Sequence, residues 1–176
     1  MFHQKPVYQM PKISQKIDKL TKSIENRFSG DSFATDVFEL KAEELKSLNK
    51  KWKFNWGREF LIGNKVYKLV IRFSPEVIQG LLSISDKGDH IFMNLIESAP
   101  HNFGKNKIYE GVAGNLVAFA CQVSFEKGYG GIVVFEAKTK LIEHYKLTLG
   151  AQMITSNRMF VDTNPALRLI DKYFNK

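Results

Sequence analysis

Apolar residues recur along this chain in two periods, and the change from one to the other organises it. After Pro11 they fall at Ile13, Ile17, Leu20, Ile24 and Phe28, at intervals that line one face of a helix. The spacing predicts an amphipathic helix over about residues 12–28, its apolar face packed on the body of the domain or on a second copy of the chain. Ser29-Gly30-Asp31-Ser32 reads as a joint, because Gly and small polar residues stop helices and turn the chain. Thr35 to Leu40 reads as a strand, and Ala42 to Leu48 as a helix that turns Leu45 and Leu48 inward. Residues 50–63 show no clear period. They hold both tryptophans, Trp52 and Trp56, with Phe54 and Phe60 between basic residues. Such interleaving can stack on nucleic-acid bases, whereas packing in a lid or connecting helix is the commoner use of large aromatics.

The period then shortens. Val66 to Phe73, Val77 to Ser85 and His90 to Ser98 are dense in strand-forming Val, Ile and Phe. Turn signals at Ser74-Pro75 and Asp86-Lys87-Gly88-Asp89 make them an antiparallel meander. Past Pro100 a segment rich in Gly and Lys leads into a helix over Val112 to Lys127, and Gly128-Tyr129-Gly130-Gly131 breaks it. A strand (Ile132 to Glu136), a helix (Thr139 to Leu147), Gly150, a hairpin turning at Ser156-Asn157 and a helix from Pro165 to Phe174 follow. Strand, helix and neighbouring strand in this order form a right-handed crossover, which sets 90–98 and 132–136 side by side and parallel. The expected architecture is mixed α and β: a helical extension over 1–33 and one domain over 34–176.

Composition narrows the classes. A chain of 176 residues with 44% apolar residues can bury a real core. The single cysteine, Cys121, excludes an intrachain disulfide and a thiolate metal cage. His3, His90, His101 and His144 lack the i, i+4 pairing of a helical metal site, so no metal is expected. No stretch approaches the roughly eighteen apolar residues of a membrane span, and MFHQKPVYQMPK lacks the apolar core of a signal peptide. A cytoplasmic protein with no membrane partner is the expectation. The net charge of +8 suggests an anionic partner, and residues 1–30 carry half of it. A solvated helix face is the commoner reason for such a cluster.

One segment carries chemistry. Glu110-Gly111-Val112-Ala113-Gly114-Asn115-Leu116 is a glycine-rich turn entering the long central helix. Small residues let a ligand approach the backbone there, and the amides at a helix N-terminus favour an anion such as a pyrophosphate. Glycines also cap and bend chains for purely structural reasons.

The order of elements over residues 34–162 resembles that of the GNAT acetyltransferases, whose fold is a mixed, mostly antiparallel central sheet flanked by helices. Gly111-Val112-Ala113 matches the end of that family's pyrophosphate motif, Q/R-x-x-G-x-G/A, with Ile108 standing at the Q/R position. The β run ending Leu95-Ile96-Glu97-Ser98 takes the place of the strand whose backbone pairs with the pantetheine arm. His144-Tyr145 followed by Gly150 resembles the pattern whose tyrosine acts as general acid on the thioester sulfur, with one residue more than usual before the glycine. Lys138 replaces a common asparagine.

The resemblance implies an acetyl-CoA-dependent N-acetyltransferase working by direct transfer. It implies a donor site of Leu95, Ile96, Ser98, Gly111, Val112, Ala113, Gly114 and Asn115, with Lys105 or Lys107 supplying the charge missing at Ile108. Tyr145 becomes the candidate acid, and Glu97, ending the central strand, the candidate base, with His101 and His90 behind it. Other readings stay open: an inactive relative that binds acyl-CoA or a protein partner, and a basic nucleic-acid module built on the N-terminal helix and the Trp52 to Phe60 region. A nucleic-acid or ribosomal-protein acceptor would join the first and last, and a homodimer is compatible with all of them.

Overall fold

The computed structural model describes residues 24–174. Strands β1 (Ile24–Asn26), β2 (Ser32–Phe33) and β3 (Thr35–Glu39) open the described chain, and a 3-10 turn over Ala42–Ser47 follows. Helix α1 (Trp56–Leu61) leads to β4 (Lys65–Ile71), β5 (Ser74–Asp86) and β6 (Ile91–Ser98). After a 3-10 turn at Pro100–Asn102 come β7 (Tyr109–Glu110), helix α2 (Val112–Glu126) and β8 (Val133–Glu136). Helix α3 (Ile142–Leu149), entered through a 3-10 turn at Thr139–Leu141, then β9 (Gln152–Met153), β10 (Arg158–Val161) and helix α4 (Thr163–Phe174) complete it.

The main sheet has seven strands in the order β3-β4-β5-β6-β8-β10-β9. Its pairs are antiparallel except β6 with β8, the parallel pair set by the crossover through α2. Strand alternation divides the apolar residues between two faces. Leu69, Ile71, Leu82, Ile84, Ile91 and Met93 point to one face and pack under α2 and α4, forming the larger core. Val66, Leu81 and Leu95 point to the other face, where Leu40, Trp56 and the partly buried Leu45, Leu48, Trp52 and Phe60 cover them. Because both faces are covered, the central strands read as nearly continuous apolar runs. No described helix is long and apolar enough to cross a membrane.

Two expectations change, and one segment without a clear period is assigned. The predicted helix does not run through 24–28. Ile24–Asn26 is a strand, held between β2 and the short β7, and Arg27 N–H donates to the Ile108 carbonyl. Ile24 is buried in the larger core while Phe28, the last residue of the helical stripe, is 77% exposed, so the spacing there does not describe one face. The rest of that helix lies outside the described residues. The first hairpin turns at Arg72-Phe73, and Ser74-Pro75 lies inside β5. Proline is tolerated at a strand's start, where its missing N–H breaks no ladder bond. The segment 50–63 contains α1, capped by the Asn55 side chain, which accepts from the Arg58 N–H.

Candidate functional site

The site grows from an irregularity in β6. Ser83 pairs with Leu95 but the next residue of β5, Ile84, pairs with Met93, which leaves Asn94 as an extra residue. A bulge bends its strand and turns two neighbouring side chains toward one face. The effect on the other side of β6 is immediate. Its parallel register with β8 runs Ile91–Val133, Phe92–Val134, Met93–Phe135 and stops. From Asn94 to Ser98 the backbone of β6 has no partner strand on that side among the described residues, so the two strands part in a V whose apex is the Met93–Phe135 pair. Unpaired backbone amides and carbonyls on such an edge are ready to bond an extended, amide-bearing ligand.

Leu95, Ile96 and Ser98 lie on this edge, as does Glu97. The Glu97 carboxylate has both oxygens occupied: Oε1 accepts from the Lys53 N–H at 2.5 Å, and Oε2 from the Phe54 N–H at 3.3 Å and Trp56 Nε1 at 2.8 Å. It thus fastens the start of α1 to the end of β6.

The open end of the V faces the first turn of α2. Gly111 is its N-cap in the left-handed region (φ 88°), a conformation that glycine takes without strain, and no side chain caps the helix. No acidic residue stands in the first turn, so no carboxylate within it opposes an anion at the helix N-terminus. Ala113 is exposed there, while the Val112 side chain is buried in the core. Gly114 and Asn115 face inward. A Cβ on Gly114 would lie 2.0 Å from the Tyr173 hydroxyl, and Asn115 is fully buried with Nδ2 donating to Thr35 Oγ1. Their side-chain positions serve packing, which leaves the Gly114 amide as the part able to face a ligand.

The loop before α2 carries the lysines. Lys107 Nζ pairs with Glu110 at 3.3 Å, and Arg27 reaches the same carboxylate at 3.5 Å. Arg27 Nη1 also donates to the Lys105 carbonyl, and no ion pair holds the exposed Lys105 ammonium among the described residues. The base of the loop is fixed to a second bulge, at Gln79 of β5. Gln79 Oε1 accepts from Asn102 Nδ2 at 2.9 Å and contacts His101 Nε2 at 2.8 Å. With the Gln79 amide so oriented, Nε2 of His101 carries its proton, and burial pushes the imidazole below its ordinary value. His90 lies at the opposite end of β6, against Asp89 at 2.6 Å, away from the V.

Tyr145 stands at the apex. On α3, its ring meets Phe135 edge-on, with centroids 5.4 Å apart, and Phe135 belongs to the last parallel pair. Burial raises its phenol above the ordinary value, so the group keeps its proton at neutral pH. No described residue hydrogen-bonds the hydroxyl, and Gly150 ends α3 in the left-handed region (φ 64°).

Glu59 of α1 escapes a reading by motif, yet it is only 7% exposed, and its Oε2 accepts from Ser83 Oγ at 2.5 Å and Asn64 Nδ2 at 2.8 Å. Its sequence signal is slight: a carboxylate between aromatics in Trp56-Gly57-Arg58-Glu59-Phe60.

No family model matches the chain, and no curated protein matches it in sequence. Solved structures do match. A mutant form of the AtaT toxin is similar over 77% of this chain and 93% of that one, at 15% identity and a TM-score of 0.56. A structure described as a bacterial toxin matches over 82% of this chain and 99% of its own, at 12% identity and a TM-score of 0.55. The AtaT toxin bound to the C-terminus of the antitoxin AtaR and acetyl-CoA matches over 77% and 98%, at 14% identity and a TM-score of 0.53. The chain has the fold of the GNAT acetyltransferases.

Proposed function

We propose that the chain binds acetyl-CoA in the V between β6 and β8 and transfers its acetyl group to an amine. The observation that carries this reading is the end of parallel pairing at Met93–Phe135, after which the β6 backbone over 94–98 has no strand partner on that side among the described residues. The pantetheine arm, with its two amides, lies against this edge beside Leu95, Ile96 and Ser98. The pyrophosphate sits on the amides of Val112, Ala113 and Gly114, with Lys105, in the loop before α2, as the cation that completes the site. Tyr145, beside the apex with a retained proton, is placed to protonate the departing sulfur. A backbone N–H on the unpaired edge of β6 is the donor for the carbonyl oxygen as it gains charge.

The acceptor arrives on the face opposite α2 and α4. A second feature favours a macromolecular acceptor. Lys53 Nζ lies 3.5 Å from the centroid of the exposed Phe103 ring, and Phe54 beside it is 40% exposed, so aromatic surface and positive charge coincide at the rim. Stacking surfaces with cations suit nucleic acid, and the fold-mate AtaT is also seen in a complex with AtaR and DNA. The donor site is tested with Ala113→Glu, which sets a carboxylate where the pyrophosphate is placed. Acetyl-CoA affinity, measured by calorimetry, should weaken by about tenfold or more while the melting temperature stays put. Unchanged affinity removes the pyrophosphate from α2.

A further inference from the structure

The helix that would hold the pyrophosphate has a carboxylate at its entrance. Glu110 immediately precedes Gly111, the N-cap of α2, and a carboxylate there competes with an external anion for the same amides and dipole. Its register partner across the β1–β7 pair is Glu25, a second carboxylate, and like charges set opposite each other repel. Two cations offset them. Lys107 Nζ lies 3.3 Å from Glu110 Oε1, and Arg27 Nε lies 3.5 Å from the same oxygen.

Arg27, one residue past β1, is fastened to the loop by backbone and side chain together. Its N–H donates to the Ile108 carbonyl at 2.9 Å, and its Nη1 donates to the Lys105 carbonyl at 2.9 Å. From the other direction the Ile108 N–H donates to the His101 carbonyl at 3.0 Å, and the Tyr109 N–H to Asn102 Oδ1 at 3.1 Å. The loop is thus held at both sides, and a guanidinium fork with two partners is more firmly placed than a lysine ammonium on a flexible stem. Arg27 lies outside residues 34–162, so no motif of that stretch includes it.

We propose that Arg27 is a positioning residue for the donor: it screens Glu110 and holds the Lys105 backbone, which keeps the entrance of α2 open to the pyrophosphate. The assignment rests on the acetyl-CoA reading of that site. Removing Arg27 leaves a less compensated negative charge beside the diphosphate, whereas removing the Glu110 charge releases a positive one. The two halves of one ion pair should therefore act on the donor in opposite directions. A pair that serves only the fold would act in the same direction from either half.

The test is calorimetry with acetyl-CoA, and separately with inorganic pyrophosphate, on wild type, Arg27→Met, Glu110→Gln, the double variant and Arg27→Lys. Arg27→Met should weaken acetyl-CoA binding about three- to tenfold, and Glu110→Gln should bind at least as tightly as wild type. The double variant should stay within about twofold of Glu110→Gln, and Arg27→Lys, which keeps the charge, should recover most of the loss. Pyrophosphate should follow the same order. Should Arg27→Met fail to fold, Arg27→Gln takes its place with the same expected loss. Unchanged affinity in Arg27→Met, weaker binding in Glu110→Gln, or an equal loss on removing Arg27 in both backgrounds overturns the proposal. A wild type that binds pyrophosphate in this order but not acetyl-CoA leaves the screening by Arg27 standing and overturns the acetyl-CoA reading. One that binds neither overturns both.

Discussion

Tyr145 has an observed place against the core and a proposed role in the reaction. Its ring packs on Phe135 while its hydroxyl has no partner among the described residues, so removing the oxygen separates the two roles. In Tyr145→Phe the core contact survives and stability should hardly move. Turnover should fall about 10- to 1000-fold at unchanged acetyl-CoA affinity, since a proton donated to the leaving sulfur acts only in the transition state. Steady-state kinetics with parallel calorimetry checks this, and unchanged turnover removes the hydroxyl from the mechanism. His101 makes a pH-dependent prediction. Burial holds its imidazole below the ordinary 6.5, so over the interval beneath that value the unfolded chain binds more protons than the folded one. Its contribution to stability is present above 6.5 and is lost as pH falls through the depressed value. The melting temperature of wild type should drop more between neutral and mildly acidic pH than that of His101→Gln, and parallel curves would show that the ring titrates normally.

At the scale of elements, α2 is positioned by contacts that tolerate no extra atom. A methyl on Gly114 would collide with the Tyr173 hydroxyl of α4 at 2.0 Å. Gly114→Ala should therefore cost about 1–3 kcal/mol by overpacking, seen as a lower denaturation midpoint, and Tyr173→Phe should restore part of it. A neutral Gly114→Ala would mean that α2 and α4 are less closely apposed. Here the limits of sequence reading are physical. The central strands, the crossover and α2 were legible because long apolar runs bounded by turn residues have few alternatives. The strand at Ile24–Asn26 was not, because its partner β7 is two residues long and distant in sequence, and Ile24 satisfies a helical spacing as well as a core strand. The glycine-rich turn was visible, but which of its residues face a ligand was not: Gly114 and Asn115 serve packing, a fact set by α4 and Thr35 far away in the chain. Glu59 stayed hidden because a lone carboxylate has no motif, and only its partners Ser83 and Asn64 give it a place.

For the whole molecule, both faces of the sheet are covered while β6 and β8 part in its middle. Pairing between β6 and β8 ends beside the bulge at Asn94, and the larger core lies under α2 and α4 on one side of the V. A ligand that fills the V bonds backbone groups which the unfolded chain cannot present together, so it must stabilise the fold by mass action. The most direct measurement is the melting temperature of the whole chain against acetyl-CoA, with adenosine as the control that lacks phosphate and pantetheine. A graded rise is expected, equivalent to about 2.7 kcal/mol at a hundredfold excess over the dissociation constant, with little response to adenosine. A flat curve up to millimolar acetyl-CoA would contradict the account.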